Sequence, residues 1–195
     1  MDWRRTGAAD ASAVVGTLAA AFASDPVWGV WACGDAPDKA GLLEVFWKPW
    51  VDAGLKYDGF FMAPDASVVS GWVPPGVHET DAEDEAAIEA VTLRLFGARA
   101  PLLLEAYGLF EAHRPAEPHW YLSLLATHPA HRGQGLGMRM VSDLLVPIDA
   151  AHQPAYLEST NPANDARYEA VGFVRHGSFT LPQGPIVTTM WRAPR

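Results

Sequence analysis

One stretch constrains this chain more than any other: His128-Pro129-Ala130-His131-Arg132-Gly133-Gln134-Gly135-Leu136-Gly137. In front of it stands Tyr121-Leu122-Ser123-Leu124-Leu125-Ala126-Thr127, a mostly apolar run of strand length. Behind it Leu136, Met140 and Leu144 recur at helical spacing, with Val141, Leu145 and Ile148 beside them. The order is strand, glycine-punctuated turn, helix, and that order makes an anion site. The first N–H groups of a helix lack internal partners and carry the positive end of its dipole. Glycines let a main chain approach a pyrophosphate closely, and Arg132 adds a full charge beside it. The ligand class implied is a phosphate-bearing cofactor.

Spacing narrows the class. A dinucleotide fold wants Gly-x-Gly-x-x-Gly after its first strand, with an acid about 20 residues on. Here Gly133, Gly135 and Gly137 alternate, and the turn lies late in the chain. A phosphate loop wants Gly-x-x-x-x-Gly-Lys-Ser/Thr, and no lysine follows Lys56. The totals exclude other classes. A net charge of −9 argues against nucleic acid and anionic membranes as partners, and suits a cationic acceptor such as an amine. No run is long and apolar enough to span a bilayer, and Met1-Asp2-Trp3-Arg4-Arg5 has no apolar signal region. A single cysteine, Cys33, excludes an internal disulfide and fits a reducing cytosol, so a cytoplasmic location is expected. No His/Cys/Asp cluster has metal-ligand spacing, so no metal is expected.

In chain order, residues 3–6 read as a short strand. Residues 10–23 read as a helix with Val14, Val15, Leu18 and Phe22 on one face, stopped by Ser24-Asp25-Pro26. A helix over 38–55 carries Leu42, Leu43, Phe46, Trp47 and Trp50, and Pro49 predicts a kink or split in it. Residues 60–62 and 67–73 form a hairpin turning at 63–66. The acid-rich run 78–89 reads as a solvated loop and helix start. Helices follow through Ile88, Val91 and Leu95 and over 102–112, then a stiff connector at 114–118. The rest alternates: strand 120–127, helix 135–150 bent at Pro147, strand 155–160, helix 163–171, strands 173–180 and 186–192. This predicts an α/β fold, a central mixed sheet flanked by helices. One domain over 1–195 is expected from the length.

Arg132-x-x-Gly135-x-Gly137 matches Arg/Gln-x-x-Gly-x-Gly/Ala, and in it the chain resembles the GNAT N-acetyltransferases. A second block agrees: Leu157-Glu158-Ser159-Thr160, then Asn164, then Tyr168-x-x-x-Gly172-Phe173. Leu18 to Ala23, His113-Arg114-Pro115-x-Glu117-Pro118-x-Trp120 and Gly184-Pro185 resemble puromycin N-acetyltransferase-like members. The likeness covers 118–192 well and 8–26 loosely. Residues 30–112, where family members usually build the acceptor pocket, are not matched.

The resemblance implies the acyl-CoA N-acyltransferase fold with strands four and five splayed, and residues 82–112 as a helical elaboration near the acceptor site. It implies acetyl transfer from acetyl-CoA to a primary amine of a small molecule, by direct attack in a ternary complex. An aminonucleoside or antibiotic-like acceptor belongs to that class, and a homodimer is compatible with it. Leu125, Ala126 and Thr127 would bind the pantetheine through the main chain, one N–H polarising the thioester carbonyl. Arg132, Gly133, Gln134, Gly135, Leu136, Gly137 and Met138 would hold the pyrophosphate, and Asn164 would bond backbone or cofactor. Tyr168 is the candidate general acid and also faces the cofactor. Glu158 is the first candidate for general base, ahead of His119, Asp25 and Glu111. Trp28, Trp31 and Trp72, with Trp47 and Trp50, are candidates to line an aromatic acceptor pocket. Two other readings fit the same motifs: a non-catalytic acyl-CoA sensor, and an enzyme acting on a protein or peptide amine.

Overall fold

The computed structural model describes residues 2–195. Helix α1 (Ala11–Phe22) buries Val14, Val15 and Leu18, the face its sequence marks. It is followed by a π-helical turn, Pro26–Ala32, that the sequence reading takes only as a helix stop. Asp25 makes this turn possible: its carboxylate accepts from the N–H groups of Val27 (2.8 Å) and Trp28 (3.0 Å), with Pro26 in the first position where no N–H is needed. Gly29 lets the turn press on α1, since a Cβ there would sit 2.2 Å from the Ala23 carbonyl oxygen.

Helix α2 (Lys39–Leu55), capped by Asp38, runs unbroken through Pro49. The expected split is absent because Pro49 deprives only the carbonyl of Val45, which is 42% exposed and can be hydrated. Pro147 is tolerated likewise on the exposed side of α5 (Leu136–Ala150). Helix α3 (Ala82–Phe96) starts at Asp81, which accepts from Glu83 and Asp84 N–H groups, while the Asp84 carboxylate accepts from Asp81 N–H. Helix α4 (Ala100–His113) follows directly, and α6 (Asp165–Ala170) is one short element near the end.

Seven strands make one mixed sheet in the order β1-β2-β3-β4-β5-β7-β6. They are β1 (Arg4–Arg5), β2 (Phe60–Met62), β3 (Val68–Val73), β4 (Trp120–Thr127), β5 (Ala155–Ser159), β6 (Val174–Thr180) and β7 (Ile186–Arg192). Among the described residues the single parallel pair is β4 with β5, and it ends early, at Leu122 opposite Leu157. Beyond that point β4 stays paired with β3 as far as Thr127, and β5 with β7 as far as Ser159. The two central strands therefore part, and the inner edges of Ser123 to Thr127 and of Glu158 are left without a ladder.

Both faces of the sheet are covered. On one, α1, α2, α3, α4 and the π turn enclose an aromatic cluster in which Trp28 meets Trp47 at 5.1 Å and Phe46 at 5.7 Å between ring centroids. On the other, Val141, Leu145 and Ile148 of α5 pack on Trp72, Leu122 and Leu157. Among the described residues no single helix is long and apolar enough to cross a membrane.

Candidate active site

The gap between β4 and β5 opens into two adjoining hollows. One is a cleft of about 570 Å³ and the other a cavity of about 360 Å³. Leu125, Ala126 and Thr127 line the cleft, while Ser123 and Leu124, just before them, line the cavity. Across the gap Asn161 and Asn164 belong to the cleft, and Glu158 and Thr160 to the cavity. A hydrogen bond joins the two hollows: Thr160 Oγ1 of the cavity donates to Asp25 Oδ2 of the cleft at 2.9 Å.

The cleft is built around the start of α5. Gly133 (φ +81°) and Gly135 (φ +70°) take left-handed backbone at the turn. Unlike α2 and α3, α5 has no side chain bonded to its first amides. The N–H groups of Leu136, Gly137 and Met138 therefore stand without helical partners, and Gly137 and Met138 line the cleft. A side chain at Gly137 would press on Thr127 Oγ1 at 3.0 Å, so glycine keeps this mouth open. A polyanion fits such a mouth through main-chain donors and the helix dipole.

Of the residues the sequence assigns to a cofactor, Leu125, Ala126, Thr127, Arg132, Gly133, Gly135, Gly137, Met138, Asn164 and Tyr168 line this cleft together. Leu136 turns its side chain into the core beneath α5, leaving only its main chain for a ligand, and Gln134 is exposed on the turn. The Arg132 guanidinium is tied to α1, donating to the Ala21 carbonyl (2.7 Å) and Ser24 Oγ (3.3 Å). Tyr168, half-buried on α6, keeps its proton at neutral pH: burial raises its pKa, and the charges of Asp25 and Asp165 raise it further.

The cavity has aromatic walls and an acidic lining. Trp28, Trp47, Trp50, Tyr107 and Phe110 form the walls. Glu79, Glu85, Glu89, Glu111 and Glu158 face a single guanidinium, Arg114. Arg114 lies over the Tyr121 ring, 4.0 Å from its centroid, and pairs with Glu79 at 3.2 Å. The other Glu79 oxygen accepts from Ser123 Oγ. Burial pushes the Glu158 carboxyl up to about 7, although Arg114 and the phenols of Tyr121 and Tyr156 pull the other way.

Several expectations are corrected. Trp31 lines neither hollow: its Nε1 donates to the Pro182 carbonyl (3.1 Å) under the β6–β7 turn. Trp72 lies on the opposite face of the sheet, beneath α5. His119, a candidate base, lines neither hollow and packs on Tyr156 and Trp191. Burial lowers its pKa. Asp25 is spent on capping and on Thr160. Glu79, read as one of a solvated run, is turned inward. Arg114 and Tyr121 were likewise not assigned to a site. Their signal was weak: a lone arginine in a proline connector, and alternation along β4 that any half-buried strand shows.

The model for the acetyltransferase (GNAT) family matches residues 41–173, more than half of the chain. The chain belongs to the GNAT family. Members of this family use acetyl-CoA. A histone acetyltransferase HPA2-related acetyltransferase from Corynebacterium glutamicum superposes with a TM-score of 0.68 at 23% identity, over 99% of this chain and 96% of that one. A polyamine N-acetyltransferase from Drosophila melanogaster gives 0.62 at 15% identity, over 98% and 99%. Arylalkylamine N-acetyltransferase 2 from Aedes aegypti gives 0.61 at 15% identity, over 100% and 99%. At these identities the likeness is one of fold: the mixed sheet and its flanking helices are those of GNAT structures.

Proposed function

We propose that this GNAT protein is an enzyme that moves the acetyl group of acetyl-CoA to the amine of a small cationic molecule with an apolar body. The observation that carries this reading is the pair of hollows adjoining at the parted strands, one suited to a polyanion and the other to a cation. Acetyl-CoA, when bound, supplies an activated acyl group. The main chain of Leu125 to Thr127 orients it, and a free N–H of β4 stabilises charge on the carbonyl oxygen. The amides of Leu136, Gly137 and Met138 hold the diphosphate. Glu158 takes the proton that the ammonium must lose before attack, and Tyr168 returns one to the departing sulfur.

The acceptor class rests on the cavity, because the likeness to puromycin N-acetyltransferase-like members stops short of the residues that wall it. Trp28, Trp47 and Trp50 suit a flat apolar body, and the carboxylates suit its charge. The names of the neighbours, an arylalkylamine and a polyamine N-acetyltransferase, point the same way. A peptide amine fits less well, since α3 and α4 both contribute walls to the cavity.

The test is release of free thiol from acetyl-CoA with a panel of arylalkylamines, diamines, aminonucleosides and peptide N-termini. Thiol release is expected with small apolar amines, and little with peptides. Background release across the small amines, or preference for peptides, contradicts the reading.

A further inference from the structure

The cavity contains an ion pair that the proton transfers above do not use. Arg114 and Glu158 line the same space, yet the guanidinium pairs with Glu79 and forms no ion pair with Glu158. The consequence is visible on both groups. Glu158 Oε1 and Arg114 Nε are buried without a hydrogen-bond partner. Burying unpartnered polar atoms is costly, and a guanidinium that turned to the carboxylate would satisfy both. Two contacts hold Arg114 where it is, Glu79 Oε2 at 3.2 Å and the Tyr121 ring at 4.0 Å, and the Ser123 hydroxyl fixes the other Glu79 oxygen.

We propose that Glu79 is a positioning residue: it retains the Arg114 guanidinium beside β4, and so leaves the Glu158 carboxylate free to accept the proton of the incoming ammonium. The inference rests on Glu158 as proton acceptor. Glu79 itself touches neither reacting atom. The other groups around Glu158 are the phenols of Tyr121 on β4 and Tyr156 on β5. Glu85, Glu89 and Glu111, with His78 on the Glu79 loop, line the same cavity and are left unchanged in the test.

The direction follows from charge. Removing the Glu79 charge frees Arg114 to pair with Glu158, which favours the ionised carboxylate and lowers its proton affinity. The Glu158 side-chain carboxyl can be titrated by 13C NMR in the free, full-length protein labelled at glutamate, its resonance identified by its loss in Glu158→Gln. Glu79→Gln is expected to move the midpoint down by about one unit or more, the range for a newly adjacent opposite charge. Ser123→Ala, which keeps the charge but loosens its hold, moves it the same way by less, and serves if the first variant fails to fold. In an Arg114→Met background, Glu79→Gln should lower the midpoint by clearly less, since only the loss of the nearby Glu79 like charge then acts on Glu158. A midpoint indifferent to Glu79, or shifted equally with and without Arg114, overturns the inference. Because the titration needs no substrate, it stands apart from the activity that tests Glu158 as the base.

Discussion

Tyr168→Phe is expected to lower kcat by about 10²–10⁴-fold, the range for loss of a positioned general acid, while CoA affinity stays unchanged. The smaller figure alone corresponds to about 2.7 kcal/mol of transition-state stabilisation. The reason lies in what the change spares. The Tyr168 ring packs against the cluster beneath α5 and meets Phe173 at 6.3 Å between centroids. Phenylalanine keeps both contacts, so α6 and the cleft wall should hold their shape. Only the hydroxyl is lost, and with it the proton for the departing sulfur. Its raised pKa has the right sign, since an acid must be protonated at the working pH. Steady-state kinetics beside calorimetric titration with CoA separates the outcomes. Equal losses in binding and turnover would make Tyr168 a wall of the cleft and nothing more.

Glu158→Gln should lower kcat/KM by about 10²-fold or more, as removal of a general base does, and should also change the shape of the pH profile. With its carboxyl pushed up to about 7, Glu158 is protonated and idle below that pH and ionised above it. Activity of the unmodified protein should therefore rise with pH through about 7. In the glutamine variant the levelling-off near 7 should vanish, leaving an increase of about tenfold per pH unit that follows deprotonation of the amine itself and continues toward its own pKa. A variant that retains the same acid limb would assign the proton acceptance to another group, with Glu111 the one other candidate base named from the sequence that lines the cavity.

The parts legible in the sequence are those with local causes. Strand β7 and the α5 turn follow from alternation, apolar spacing and glycine placement, and their bounds agree closely with the fold. The π turn was not legible. Pro26 read as part of a helix stop, yet it occupies a position that needs no N–H, and Gly29 permits a close approach that no local rule reveals. Pro49 misled in the same manner, because its cost depends on whether water reaches one carbonyl. In the candidate site, the cleft residues lie together because they share a turn and a strand, a local pattern the sequence displays. The pairing of Glu79 with Arg114 beside Glu158 was not legible, because the three come from distant segments and meet only through the fold. Composition suggested that tryptophans build the acceptor wall, but composition cannot say which face of a sheet each one takes. Trp28 lines the cavity, while Trp31 and Trp72 fill the core.

The most direct measurement is a crystal structure of the protein with CoA. The account predicts the diphosphate on the main-chain amides of Leu136 to Met138, the pantetheine laid along Leu125 to Thr127, and the sulfur within reach of the Tyr168 hydroxyl. A diphosphate bound elsewhere, or a pantetheine that bypasses the opening between β4 and β5, would contradict it.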